Sequence, residues 1–262
     1  MSSSRPSIAE LREVAQPATT LNRVSGEHWA GVLYMRRISI YVTRLLAPTR
    51  VTPNGVTAAM LVCGLAAAAV LMAPSVWAAV GAALIVQLQE LLDCCDGELA
   101  RWRGQKGAVG IYLDRVSHYV TDAGLAVAVG VSAAGGPTHL NGWTTIGLGT
   151  GMLVLLSKAE TDLVHMARAV AGWPPVADTA AVAAPRRPGL IATARRVAGT
   201  LPFNRALLAI ELTLLAVLAG IGDAVSGTRL GFRTLDVTLL VIGGIVVVGH
   251  LLSILNSSKL RP

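Results

Sequence analysis

The chain has 262 residues, 53% hydrophobic and only 14% charged, with a formal net charge of +7 and a mean hydropathy of +0.59. A soluble domain carries about 25% charged residues, so this shell is too thin to cover a soluble core. Intrinsic disorder and an ordinary cytosolic enzyme are excluded, and an all-α polytopic membrane protein is expected. The basic excess is then read by its position around the spans and not as a nucleic-acid footprint.

Residues 1–27 form a polar tail without the apolar run of a signal peptide. From His28 to Leu46, Trp29, Leu33, Ile40 and Val42 mix with Arg36, Arg37 and Arg44. That pattern suits an amphipathic helix in the membrane interface, with an ordinary cytosolic helix as the alternative. Thr52-Pro53-Asn54-Gly55-Val56-Thr57 is a turn cluster that ends one element and starts the next. A transmembrane helix takes roughly 20 apolar residues. Six runs qualify, at about 55–72, 75–95, 111–133, 142–169, 205–222 and 235–256. The expected organisation is a tail over 1–27, a six-helix membrane domain over 28–256 and a second tail over 257–262. The link at 170–204 holds four prolines and two Arg pairs, and reads as loop or surface helix that touches anionic lipid. Cys63, Cys94 and Cys95 are too few for a disulfide framework and read as reduced thiols.

Of the 22 Lys and Arg residues, only Arg229 and Arg233 fall on the side opposite the amino terminus. The positive-inside rule therefore puts both termini in the cytoplasm, with the plasma membrane as the expected location.

Carboxylates are costly within a span. The second run nevertheless ends in Asp93-Cys94-Cys95-Asp96-Gly97-Glu98-Leu99-Ala100-Arg101, and the third begins Gly110-Ile111-Tyr112-Leu113-Asp114 and reaches His118. Asp93 and Asp96 are spaced i, i+3, and Asp114 and His118 i, i+4, so each pair shares a helix face. A short link folds the two helix ends together. Gly97 and Ala100 add almost no side chain to the face of Asp93, which leaves room for a ligand. Three carboxylates and an imidazole converging from two helices suit hard divalent cations, Mg²⁺, Mn²⁺ or Ca²⁺. A pair of ions about 3.5–4 Å apart can clamp a phosphoryl group. The bland alternative is that Arg101, Arg103 and Arg115 simply neutralise these acids.

These residues resemble the CDP-alcohol phosphotransferases, whose signature is DxxDGxxAR, a short spacer, then GxxxDxxxD. Asp93, Asp96, Gly97, Ala100, Arg101, Gly110 and Asp114 match it in place. The resemblance spans about residues 28–256, with its specific part at 93–118. It implies an enzyme in which an acceptor hydroxyl attacks the donor phosphorus and CMP leaves. It implies Mg²⁺ or Mn²⁺ as cofactor, two ions held by Asp93, Asp96 and Asp114, and a possible homodimer. Gly97, Ala100, Arg101, Gly107 and the segment Pro53, Asn54, Gly55, Val56 would line the CDP-alcohol site. The family's last acid, both base and ligand, is His118 here. A neutral imidazole can accept a proton, but it removes one negative charge and is a poorer partner for Mg²⁺.

The partners expected are a CDP-alcohol donor, a polar alcohol acceptor and the bilayer, without nucleic acid. The leading function is phosphatidyl transfer from CDP-diacylglycerol in phospholipid synthesis. The alternatives are a CDP-inositol-type enzyme with a soluble product, and a degenerate or ion-handling membrane protein. Lys158 and Arg168 read equally as acceptor contacts or as a snorkelling, salt-paired helix end. Glu90 and Glu98 stand outside the signature positions and are expected to matter little.

Overall fold

In the computed structural model, residues 5–17, 28–105, 107–174, 203–257 and 259–260 are described, and every regular element among them is helical. Most of the 170–204 link, with Arg186, Arg187, Arg195 and Arg196, lies outside the described residues.

The polar amino-terminal stretch holds a helix that composition alone does not suggest: α1, Ile8–Ala15. Its start is a capping box. Ser7 Oγ accepts the Glu10 amide at 3.2 Å, and Glu10 Oε2 accepts the Ser7 amide at 2.9 Å. Two otherwise unsatisfied donors are met this way. Eight residues are too few to hold a helix alone in water, and α1 is held by burying Leu11 and Ala15 against Ile40 and Trp102. A π-helical turn, Gly31–Met35, leads into α2, Arg36–Leu46, where one interfacial or cytosolic helix was expected.

Six long helices follow among the described residues, one for each apolar run. They are α3, Pro53–Leu71; α4, Val76–Trp102; α5, Ala108–Ala134; α6, Gly142–Val170; α7, Ala209–Ser226; and α8, Leu230–Leu255. Four of them, α3, α4, α7 and α8, are long and apolar enough to cross a membrane. At 27 and 29 residues α5 and α6 are as long, but their sequences include Asp114, Arg115, His118 and Asp122 in one and Lys158 through Arg168 in the other.

The chain divides into two compact units. The first comprises Met1–Ala66 and Leu84–Thr121, the second Ala67–Ala83 and Asp122–Pro262. In the first, Val56, Cys95 and Leu99 form a buried knot flanked by Val42, Leu46, Leu91 and Leu92. Arg103 ties the end of α2 down by donating to the carbonyls of Val51, Thr49, Leu46 and Ala47 at 2.5, 2.8, 3.1 and 3.3 Å.

In the second unit, α5 and α6 touch through Gly130 and Gly147, where a Cβ on either would fall within 2.8 Å of the other's Cα. Small residues at such a crossing let the two backbones approach closely. Arg229 and Arg233 donate to the carbonyls of Ala134 and Ala133 at the end of α5, as cations commonly do at helix carboxyl termini. His250 Nδ1 lies 3.1 Å from Glu160 Oε2, so the imidazole faces a carboxylate within the second unit. The cysteines are free thiols.

Candidate metal centre

α4 ends in a tight reversal. Gly104 has φ 64°, a left-handed conformation that glycine adopts without a Cβ clash. Its amide donates to the Arg101 carbonyl at 3.2 Å, and the Gln105 amide to the Ala100 carbonyl at 2.9 Å. This carboxyl-terminal cap ends α4 one residue past Arg101 and returns the chain into α5 after Gly107.

The reversal brings the two acidic helix faces together. His118 Nε2 lies 3.2 Å from Asp93 Oδ1 and 3.5 Å from Asp114 Oδ1. One ligand atom from each of Asp93, Asp114 and His118 falls within 4.8 Å of the others. Their side chains remain 30%, 38% and 29% exposed, so the cluster is open to a ligand. Asp96 is held differently. Thr57 Oγ1 donates to its Oδ2 at 2.5 Å, which turns that oxygen toward the first turn of α3 and keeps Asp96 out of the three-residue group. Thr57 is a site residue that sequence reasoning did not single out, although it closes the turn cluster that opens α3.

The residues expected to line the CDP-alcohol site all lie in the first unit. Pro53 stands at the first position of α3, where no amide is required. Thr52 Oγ1 accepts the Gly55 amide at 3.1 Å. Asn54 Oδ1 lies 3.2 Å from where a Cβ on Gly110 would sit. Val56 packs on Cys95 and Leu99, and Asn54, Gly55 and Gly107 are exposed. Gly97 and Ala100 are half-buried. A Cβ at Gly97 would lie 3.3 Å from Arg101 Nη1 and 3.6 Å from Nη2, so the guanidinium folds back over the glycine. Its Nε donates to the Ala15 carbonyl at 2.5 Å. Arg103 binds backbone carbonyls, as described, and so does not bear out the idea that it serves to neutralise the acids.

Glu98 needs a new assessment. It is fully buried and accepts from Gln16 Nε2 at 2.7 Å, Ser39 Oγ at 2.6 Å, Thr43 Oγ1 at 2.7 Å and Arg36 Nη1 at 3.3 Å. A buried carboxylate with this many donors is a structural anchor whose loss strands polar partners. The expectation that it matters little is revised.

In the second unit, Lys158 Nζ pairs with Asp122 Oδ2 at 2.7 Å, and Asp122 Oδ1 also accepts the Ala209 amide at 3.0 Å. Arg168 donates to the carbonyls of Pro174 and Lys259, both at 2.8 Å, and stacks over Trp173. These contacts suit the salt-paired helix end directly.

The CDP-alcohol phosphatidyltransferase family model matches residues 50–184, just over half of the chain, and the chain belongs to that family. It thus falls among membrane transferases that move a phospho-alcohol from a CDP-alcohol in lipid synthesis, a family that normally uses divalent metals. No curated protein matches the chain. The carboxylates of Asp93 and Asp114, from two helices, converge with the His118 imidazole on one open point, and the carboxylate pair fits a divalent ion.

Proposed function

We propose that this protein transfers a phosphatidyl group from CDP-diacylglycerol to the hydroxyl of a polar alcohol, with release of CMP. The observation that carries this is the convergence of Asp93, Asp114 and His118 at signature spacing, on a chain with long apolar helices. A lipid-tailed donor with a water-soluble nucleotide head suits a site at the ends of such helices.

Asp93 and Asp114 would hold Mg²⁺ or Mn²⁺, with Asp96 contributing its second carboxylate oxygen to one of two ions. Bound there, the ions would stabilise the charge developing on the phosphoryl oxygens and on the departing CMP. Arg101 would pair with the donor diphosphate through its forked Nη edge. Gly97 would allow the diphosphate close approach, and Pro53 to Val56 with Ala100 and Gly107 would line the nucleotide. His118 Nε2 would take the proton of the acceptor hydroxyl. The acceptor oxygen then bonds to the phosphorus that carries the donor alcohol. The bond from that phosphorus to the bridging oxygen breaks, and its electrons leave with CMP. The single lone pair of Nε2 can hold an ion or accept a proton, not both at once. Because imidazole is a poor partner for Mg²⁺, the base role is the one proposed. Lys158 and Arg168 are left outside the site, since their contacts are structural.

Six transmembrane helices, both termini cytoplasmic and a plasma-membrane location complete the proposal. The bare apolar side chains of α6, with Leu148, Met152, Leu155 and Leu156 all exposed, suit contact with lipid. So do Val32, Leu33, Ile38, Tyr41 and Leu45 around α2, as an interfacial helix requires. The test is a transfer assay with labelled donors across candidate alcohols. CDP-diacylglycerol should yield an organic-extractable product. A water-soluble product formed only from CDP-inositol would replace this reading with the soluble-product alternative, and no turnover of either donor would reject both.

A further inference from the structure

We infer that α1 and Glu98 form a bracket that fixes Arg101 in the orientation needed to grip the donor diphosphate, an inference that rests on the proposed diphosphate contact. Glu98 and Arg101 are three residues apart on α4, so both face the carboxyl end of α1. Glu98 Oε1 accepts one proton of the Gln16 amide at 2.7 Å, and the Arg36 carbonyl accepts the other at 2.8 Å. Gln16 is thereby locked. Immediately before it, the Ala15 carbonyl accepts Arg101 Nε–H at 2.5 Å. The last carbonyls of a helix lack partners of their own and carry its negative end, so a guanidinium is the natural group to meet them. The other end of α1 is tied as well, by Arg44 Nε donating to the Pro6 carbonyl at 2.8 Å.

One edge of the guanidinium is therefore fixed to α1, while Nη1 and Nη2 point over Gly97. That forked edge is the one that matches phosphate oxygens. A loose arginine loses rotamer entropy when ordered, and ordering it beforehand lowers the cost of binding. The helix α1 brings only Leu11 and Ala15 to the protein's buried core. Its contribution is therefore one of position, as is that of Glu98, which reaches Arg101 through Gln16 and Ala15.

The test uses the full-length protein and CDP as the probe, with binding measured by calorimetry in Mg²⁺. Leu11→Asp undocks α1, Gln16→Ala cuts the Glu98 link more mildly, and Glu98→Gln weakens the anchor. Each should raise the CDP dissociation constant about tenfold, the order lost with one well-oriented charge-assisted hydrogen bond. Donor KM should rise likewise, with kcat within about threefold of wild type, the pattern of lost uniform binding. Glu13→Gln, on the exposed face of α1, should change nothing. In an Arg101→Lys background, Leu11→Asp and Gln16→Ala should add no further loss, because the bracket acts through Arg101. Unchanged CDP binding in Leu11→Asp and Gln16→Ala, or full additivity with Arg101→Lys, would overturn the bracket alone. Wild-type protein that binds no CDP would overturn the diphosphate contact and the bracket with it.

Discussion

His118 Nε2 on α5 stands 3.2 Å from Asp93 Oδ1 on α4, so an imidazole joins the two helices. A neutral imidazole can accept a proton through one ring nitrogen, so His118 is a candidate base beside the two carboxylates of the cluster.

If His118 is the base, His118→Ala should cut CMP release by about 10²–10⁴-fold, the usual worth of general base catalysis. A base must be unprotonated to act, so wild-type activity should fall toward acid pH. His118→Asp should tighten Mg²⁺ binding by restoring the missing charge, and should shift the fall in activity to lower pH. A pH–rate profile of wild type beside both variants reads all of this. An unchanged rate in His118→Ala would send the search for the base elsewhere.

Asp93→Asn, Asp96→Asn and Asp114→Asn should each lower CMP release by at least about 10²-fold, the scale of losing one preorganised electrostatic group. Mn²⁺ binding, followed by electron paramagnetic resonance, should weaken in the same variants. Thr57→Val removes the hydroxyl that holds Asp96 Oδ2 and should reduce activity less than Asp96→Asn does. Glu90→Gln should leave Mn²⁺ binding intact. Equal losses in all five variants would mean that these residues act through packing.

Gly97→Ala separates stability from function. Replacing glycine within a helix gains up to about 1 kcal/mol in helix propensity. The new methyl, however, would stand 3.3 Å from Arg101 Nη1 and push the guanidinium off its place. The thermal midpoint should stay level or rise while donor KM increases several-fold. A lower midpoint with unchanged KM would contradict the role given to this glycine.

Topology is tested by fusing reporters at single positions. Fusions at Gly136 and Gly227 should report outside the cytoplasm, and fusions at Gly104 and Pro185 inside it. Cytoplasmic labelling at Gly136 would remove the orientation drawn from the Lys and Arg distribution, and with it the cytoplasmic active site.

The convergence of Asp93, Asp114 and His118 was legible because it depends on short spacings. Asp93 with Asp96, and Asp114 with His118, share faces by helix periodicity, and a short link can only fold the two helix ends together. Glu98 was not legible because its partners Gln16, Arg36, Ser39 and Thr43 lie 82, 62, 59 and 55 residues away. No local pattern announces a carboxylate whose donors come from another part of the chain. The pairing of Lys158 with Asp122 escaped for the same reason, which left its charge open to an acceptor role. By contrast α1 could have been found, since Ser7 and Glu10 spell a capping box. Low apolar content hid it, because a helix of eight residues that buries only Leu11 and Ala15 carries too few apolar residues to stand out from a polar tail.

The most direct test of the account is CMP release from CDP-diacylglycerol by the purified protein, measured with Mg²⁺, with chelator, and in Asp93→Asn. The account predicts release that requires the added ion, vanishes with chelator and is absent in the variant, with the variant still folded by circular dichroism. Release that persists in chelator and in Asp93→Asn would contradict a metal-assisted transfer at Asp93, Asp114 and His118.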